Sequence, residues 1–385
     1  MFEWVHYQFP SRVFFESDSS PRIGTVVKDI GERVLIISSR DEITNPEHLK
    51  VIQESLIQHT SGCILYDDIS GVADYAELDT AAHFAKQCNA DTILAYGGRN
   101  SLNTARVVAL LSKNEIFAQE LPRAGLPLKE QPLPVVTVPV GPTIGEECVP
   151  SFFLFDSETR SSFHSIDYRL FPALIFLDPA VTGKINNTEF IRNAFAVLAS
   201  SVESILSRRS NDITNSMALR AIELVYRSIT AQTLDQSSTT TLMNISLASL
   251  LAGMSHSNSS VGVSYVVAMV THNLLRTNFE TVMSIVLPHV MEYNLTGAAA
   301  KYVSIARALD ESTTDVSVIE AAIKAVEGVK KIMKKLKVPE RLAEFDIKKA
   351  DLSRIAQQAA QNPLLINAPR DLDKSEIEAI LIAAF

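Results

Sequence analysis

The sequence predicts two domains of different class: an N-terminal α/β domain built on a parallel sheet, and a C-terminal domain of helices. Three observations predict this. The chain has 385 residues, more than one compact core usually holds. In the first half, short apolar runs alternate with stretches whose apolar residues have helical spacing; in the second half, the strand-like runs vanish. We place the boundary near residues 180–186, which gives domains 1–182 and 183–385.

The predicted strands are short, apolar and rich in β-branched residues. They are Val34–Ile37, Cys63–Tyr66, Asp91–Tyr96, Val135–Val138 and Ala173–Leu177. Helices are predicted between them, over Pro46–Gln58, over Ala76–Cys88 and from about Ser101. Strands of this kind, separated by helices, are typical of a Rossmann-like parallel sheet that is covered on both faces. From Asn187 onward apolar residues recur at intervals of three and four, which predicts helices to the end.

Composition limits the partners and the compartment. A formal net charge of -9 argues against nucleic acid, which needs clustered Lys and Arg. No apolar stretch is long enough to span a membrane, and no signal peptide is visible. The three cysteines, Cys63, Cys88 and Cys148, are scattered and odd in number, which suits a reducing compartment. We therefore expect a cytoplasmic protein without nucleic-acid or membrane partners.

A glycine turn joins the third predicted strand to its helix. In Tyr96–Ser101 the backbone N–H groups and the helix N-terminus can face a phosphate, and Asn100 is a suitable N-cap. Turns with two glycines are also common as plain structural connections, so the turn alone leaves both interpretations open.

Several segments in order and at the right spacing resemble the iron-containing (group III) alcohol dehydrogenase family, which shares the dehydroquinate synthase-like fold. The segments that carry the resemblance are Ile93–Arg106, Val136–Glu147, Leu177–Pro179, Ala252–Asn258, Leu287–His289 and Asn367–Arg370. The resemblance implies a Rossmann-like domain, a helical domain and a cleft between them. It also implies a nicotinamide dinucleotide on the glycine turn and a ferrous or zinc ion held by the helical domain.

The family holds its metal with one Asp and three His. A gapless alignment from the Leu177–Pro179 segment places the first two ligands at Ala196 and Ser200. The alignment between the later segments places the other two at Tyr265 and Phe279. These four side chains cannot form a divalent site, because hard carboxylate and imidazole donors are missing. We therefore expect no metal. A site relocated to His256, His272 and Glu280 remains an alternative.

The implied cofactor contacts are also altered. The predicted cofactor-binding residues are Ser39, Arg40, Gly97, Gly98, Arg99 and Asn100. Arg99 replaces the third glycine of the family's turn, where its side chain either blocks a pyrophosphate or holds a phosphate itself. Ser39 and Arg40 stand where the family often has an acid for the ribose, which favours NADP over NAD if a dinucleotide binds.

Three functions remain open. The first is a pseudoenzyme, a retained scaffold that now binds a ligand or an unidentified protein. The second is a metal-independent NAD(P)-dependent alcohol dehydrogenase or carbonyl reductase, with Tyr265 as a speculative proton donor. The third is a small phosphorylated ligand in the cleft, the default pocket of such a fold. Catalysis by the pair Glu146 and Glu147 is a weaker idea, since a turn-bracing role fits Glu147.

The sequence also predicts a homodimer. Members of the family commonly pair N-terminal strands, and Val5–Phe9 and Arg12–Phe15 are rich enough in β-forming residues to do so.

Overall fold

The computed structural model describes residues 6–69, 71–123, 128–182, 185–230 and 238–385. They form two compact units, Phe9–Asn186 and a second unit of residues 6–8 with Asn187–Phe385. The Gln8 N–H donates to the Asn258 side chain at 2.8 Å, and Asn258 Nδ2 donates back to the Gln8 carbonyl at 3.1 Å. These first described residues therefore pack with the helices, whereas the predicted division assigned them to the α/β domain.

The described residues of the α/β unit form eight strands. They are β1 (Arg12–Phe15), β2 (Arg33–Ile37), β3 (Gly62–Tyr66), β4 (Thr92–Gly97), β5 (Val135–Pro139), β6 (Ser151–Asp156), β7 (Ser161–Ile166) and β8 (Leu174–Leu177). Six of them form a sheet in the order β1-β8-β5-β4-β2-β3, and every pairing is parallel. β6 and β7 form a separate antiparallel hairpin. The predicted parallel sheet followed by a helical domain is confirmed.

Helices cover both faces of this sheet. They are α1 (Ile23–Val27), α2 (Pro46–His59), α3 (Tyr75–Gln87), α4 (Arg99–Lys113) and α5 (Pro179–Thr182). Alternate residues of β2 show the two faces: Leu35 and Ile37 belong to the core under α3 and α4, while Val34 and Ile36 belong to the core under α1 and α2. Burial on both sides explains why the strand is apolar without alternation.

From Asn187 onward, the described residues of the second unit form helices and the loops that connect them. Its helices are α6 (Asn187–Leu206), α7 (Asp212–Thr230), α8 (Thr239–Ser259), α9 (Val263–Leu275), α10 (Phe279–Asn294), α11 (Ala299–Ala308), α12 (Val318–Leu336), α13 (Leu352–Ala360) and α14 (Lys374–Ala383). Helices α6, α9 and α10 pack against one another, and most of their residues are buried. Among the helices that the structure describes, none has the length and hydropathy needed to cross a membrane.

The segments predicted to pair in a dimer have different fates. Arg12–Phe15 forms β1, which pairs in parallel with β8 at one edge of the sheet. Of Val5–Phe9, residue 5 lies outside the described residues, and residues 6–9 do not form a strand. The homodimer therefore stays a prediction.

Candidate functional site

The turn between β4 and α4 is a tight loop whose backbone a charged side chain approaches closely. Gly97 has φ +153°, a conformation that side chains rarely adopt, and a Cβ there would lie 2.4 Å from Ser101 Oγ. Gly98 is the N-cap of α4 and has extended backbone. The predicted N-cap, Asn100, is wrong: it lies inside the first turn of the helix.

A carboxylate from another loop caps this helix. Glu42 accepts hydrogen bonds from the backbone N–H groups of Gly98 at 2.8 Å, Ser101 at 3.0 Å and Asn100 at 3.3 Å. The Ser101 hydroxyl donates to the same carboxylate. Burial raises the pKa of Glu42 above its ordinary value, although the hydrogen bonds from Ser101, Gly98 and Asn100 oppose that rise. The anion position of α4 is thus filled from within the chain.

Sequence reasoning missed Glu42, although a signal existed. Glu42 ends the short 3₁₀ turn Arg40–Glu42, which follows β2 after two residues. β2 and β4 are neighbours in parallel register, so the loops after their carboxyl ends lie at the same edge of the sheet. β2 lies beside β4, the strand that leads into the glycine turn. An acidic residue in the loop after β2 is therefore a candidate cap for α4.

The predicted ribose-side residues are engaged within the protein. The backbone N–H of Ser39 donates to Ser101 Oγ at 2.8 Å, and its hydroxyl donates to the Ile69 carbonyl at 3.2 Å. Arg40 Nε donates to Asp67 at 3.2 Å, and the Arg40 guanidinium lies 3.9 Å from Asp68. The structure therefore brings Ser39 to the turn, whereas two acids hold the exposed Arg40.

Arg99 points into a buried ion network. Its Nε lies 3.4 Å from Glu146, and its guanidinium lies 4.8 Å from the centre of the Phe153 ring. Arg106, fully buried, donates to the Glu146 carboxylate and to the Glu146 carbonyl, each at 2.6 Å. Glu147 accepts from Thr143 within its own turn. These pairings fit bracing roles for Glu146 and Glu147 and do not favour the acid–base role considered above.

In the helical unit, the four positions that the resemblance assigns to a metal are closed to solvent. Ala196 and Ser200 on α6 are 0% and 1% exposed, and Tyr265 and Phe279 are 3% and 2% exposed. The Tyr265 and Phe279 rings meet edge to face with centroids 5.0 Å apart. The Ser200 hydroxyl is buried without a hydrogen-bond partner. Three of the four positions contribute packing instead of metal donors.

Glu203, one turn further along α6, caps α9. Its carboxylate accepts from the backbone N–H groups of Ser264 at 2.6 Å and Tyr265 at 3.2 Å, and a Cβ at Gly262 would lie 2.5 Å from it. The residue is 3% exposed. Burial raises the pKa of Glu203 to about 7 despite these hydrogen bonds. Glu203 therefore braces the junction of α6 and α9.

Two histidines of the helical unit, His272 from the relocated-site alternative and His289, have partners of their own. His272 Nδ1 lies 2.5 Å from the Thr277 carbonyl, a contact that closes the end of α9. His289 lies 3.8 Å from Glu292, and burial lowers the pKa of His289. Within the described ranges no group of three or more His, Cys, Asp or Glu side chains could hold a metal ion together.

The described residues form an α/β unit with a glycine turn and a helical unit, and the comparisons give the family to which a chain of this architecture belongs. The model for iron-containing alcohol dehydrogenase matches residues 10–179, and that for the C-terminal part of the Fe-containing alcohol dehydrogenase family matches residues 191–385. The chain belongs to the iron-containing alcohol dehydrogenase family.

Individual relatives agree with this assignment. The chain is 27% identical over 302 residues to 1,3-propanediol dehydrogenase of Klebsiella pneumoniae, which covers 78% of this chain and 77% of the relative. It is 22% identical to NAD-dependent methanol dehydrogenase of Bacillus methanolicus, covering 93% and 94%. A solved structure of 1,3-propanediol oxidoreductase has the same fold, with a TM-score of 0.94, 22% identity and full coverage of both chains.

These comparisons correct one expectation about cofactors. The expectation of no metal is overturned, because the family is one of iron-containing enzymes and points to a metal cofactor. The preference for NADP over NAD stays a prediction, and the structure pairs Arg40, on which that preference rested, with Asp67 at 3.2 Å. The residues at the four aligned positions still do not fit a divalent ion, since they supply one neutral hydroxyl and one phenol. A metal in this chain would need other ligands.

Proposed function

We propose that this protein is an alcohol dehydrogenase-like member of its family that has lost metal-dependent hydride transfer at the ancestral positions. In this proposal it acts as a binding protein on a retained two-domain scaffold. The observation that carries the proposal is the packing of Ala196, Ser200, Tyr265 and Phe279, each less than 4% exposed, where the family resemblance places the metal ligands.

The physical argument concerns both donors and space. Divalent iron or zinc needs several oxygen, nitrogen or sulfur donors around one point. Here the Tyr265 ring packs edge to face on Phe279 at 5.0 Å, so apolar atoms fill part of the region. Polarisation of an alcohol or carbonyl oxygen at these positions would therefore lack its Lewis acid.

Turnover of the metal-loaded protein tests the proposal. The full-length chain is incubated with Fe(II) or Zn(II), and oxidation or reduction of NAD(H) and NADP(H) is followed with a panel of alcohols and aldehydes. We expect rates at the background of the assay with either metal. Turnover well above background that rises with the metal content of the protein would contradict the proposal.

Restoring the ligands gives a matched gain-of-function test. The quadruple variant Ala196→Asp, Ser200→His, Tyr265→His and Phe279→His supplies the family's donor set, and the double variant Ala196→Asp, Tyr265→His supplies only half of it. We expect the quadruple variant to retain about one metal ion per chain after desalting, and the double variant to retain far less. Equal metal contents would show that these positions are wrongly assigned.

A second candidate is a metal-independent NAD(P)-dependent alcohol dehydrogenase or carbonyl reductase. The observation in its favour is that three backbone N–H groups of α4 still converge on one anion, the carboxylate of Glu42. In this candidate Tyr265 donates the proton to the carbonyl. We would then expect aldehyde reduction that survives a chelator and falls about 100-fold in Tyr265→Phe. Absence of NADH and NADPH binding at millimolar cofactor would exclude this candidate.

Self-association is a separate proposal. We propose a homodimer, supported by the position of β1 as an outer strand of the sheet. Light scattering on the full-length chain tests it, and a monomer at all accessible concentrations would contradict it.

A further inference from the structure

The carboxylate of Glu42 lies where a bound phosphate would lie on this turn. The first N–H groups of a helix have no partner inside the helix, and with the helix dipole they attract anions. Three of these groups on α4, together with the Ser101 hydroxyl, already donate to Glu42. A phosphate at the same place would need the same donors.

The two glycines of the turn allow the Glu42 carboxylate to lie close to the backbone. A Cβ at Gly97 would lie 2.8 Å from Glu42 Oε2, and a Cβ at Gly98 would lie 2.9 Å from Glu42 Oε1. A turn stripped of side chains so that an anion can approach the backbone is what a pyrophosphate requires. The turn therefore still allows an anion to approach its backbone closely, but the anion at that place is the carboxylate of Glu42.

Glu42 and a phosphate exclude each other on grounds of charge as well. Two anions that share donors a few ångströms apart repel strongly where water is partly excluded. The basic side chains nearby offer little relief, because Arg99 is paired with Glu146 and Arg40 with Asp67. A phosphate can thus reach α4 only after Glu42 leaves.

The short turn that carries Glu42 lies at the surface of the α/β unit. The residue ends a three-residue 3₁₀ turn whose other members, Arg40 and Asp41, are exposed to solvent. As a residue, Glu42 is partly exposed, whereas Glu203 is 3% exposed.

We propose that Glu42 determines the ligand specificity of the glycine turn: its carboxylate occupies the phosphate position of α4, and a phosphate-bearing ligand binds only when Glu42 is displaced. The ligand class is a pyrophosphate, either free or within a dinucleotide. This inference concerns the α/β unit and does not depend on the loss of hydride transfer.

Calorimetry on the full-length chain tests the proposal with two probes, inorganic pyrophosphate and NADH. The test variant is Glu42→Ala. The matched control is Asp41→Ala, which removes the same charge from the adjacent, exposed residue and leaves Glu42 in place. We expect Glu42→Ala to bind pyrophosphate at least tenfold more tightly than the wild type, and Asp41→Ala to stay within about twofold of it. A parallel gain for NADH identifies a dinucleotide as the ligand, whereas a gain for pyrophosphate alone identifies a smaller one.

Three results would refute the proposal that Glu42 determines ligand binding at the glycine turn. Glu42 would not be the determinant if the wild type binds pyrophosphate as tightly as Glu42→Ala does, or if Asp41→Ala gains as much. If Glu42→Ala fails to fold, the near-isosteric Glu42→Gln decides, because a neutral amide competes less with an anion. Folded Glu42→Gln without a gain over the wild type would refute the proposal. Since the readout is binding of a probe without turnover or metal, failure here leaves the proposed function untouched.

Discussion

Two helices of this protein have a glycine as the N-cap residue, and a glutamate from another element accepts hydrogen bonds from the backbone at each of these helix starts. In the α/β unit, Glu42 caps α4 at Gly98; in the helical unit, Glu203 caps α9 at Gly262. The bonding is alike, but the surroundings differ. Glu42 is partly exposed on a short turn, whereas Glu203 is 3% exposed on a twenty-residue helix.

The difference separates a cap that can be exchanged from one that cannot. In the proposal above, Glu42 leaves its donors to an incoming anion. Glu203 has no comparable route, because its helix and the one it caps lie within the buried part of the helical unit. One carboxylate therefore acts like a bound ligand, and the other is part of the core.

The largest expected effect comes from loosening the core around Glu203. The Tyr265 N–H donates to Glu203 and its ring packs on Phe279, so Phe279→Ala removes the support on one side. We expect Phe279→Ala to lower the free energy of unfolding by about 4 kcal/mol in urea denaturation. The control Phe117→Ala, at a residue 60% exposed, should cost less than about 1 kcal/mol. Similar losses in both variants would mean that this core is not rigid.

The next effect is a pH dependence that belongs to Glu203. Burial raises its pKa to about 7, so the folded state favours the protonated form more than the unfolded state does. Stability from this group is therefore present in full below pH 4.5, the ordinary value, and is lost as pH rises through about 7. The loss should approach about 3 kcal/mol.

Glu203→Gln serves as the comparison, because a neutral amide cannot ionise. The difference in unfolding free energy between Glu203→Gln and the wild type should shift in favour of the variant between pH 5 and pH 8. A difference that stays constant across this range would show that Glu203 titrates normally.

The smallest effect is expected at the exchangeable cap. Loss of a helix cap costs about 1 kcal/mol, so Glu42→Ala should lower the free energy of unfolding by that amount. Millimolar pyrophosphate should restore the stability of Glu42→Ala and leave the wild type nearly unchanged. If Glu42→Ala costs as much as Phe279→Ala, Glu42 is a core residue and the contrast fails.

The sequence predicted most strands of the parallel sheet well, because these strands are short and rich in apolar residues. Val34–Ile37 and Cys63–Tyr66 were each predicted to within one residue. The start of α4 was predicted less well. Local rules favour Asn100 as a cap, but the cap comes from Glu42, fifty-six residues before Gly98.

Ion pairs between residues far apart in the sequence explain why the roles of the arginines at the site were not predicted. Nothing local to Arg99 or Arg40 indicates that Glu146 and Asp67 neutralise them, since those acids lie on other loops. The positions of Ala196 and Phe279, by contrast, could be assigned from the order and spacing of the segments that resemble the family. The role of these two residues in the core became clear only from their packing in the structure. The spacing of segments along the chain therefore shows which residues stand at the family's site positions. Which charged side chains pair with one another depends on the fold.

The raised pKa of Glu203 has a consequence for heat as well as for stability. Near pH 7 the folded chain holds about half a proton more at this carboxyl than the unfolded chain does. Unfolding should therefore release that fraction of a proton to the buffer. The enthalpy of unfolding measured by scanning calorimetry should then differ between phosphate and Tris at the same pH, in proportion to the ionisation enthalpies of the two buffers.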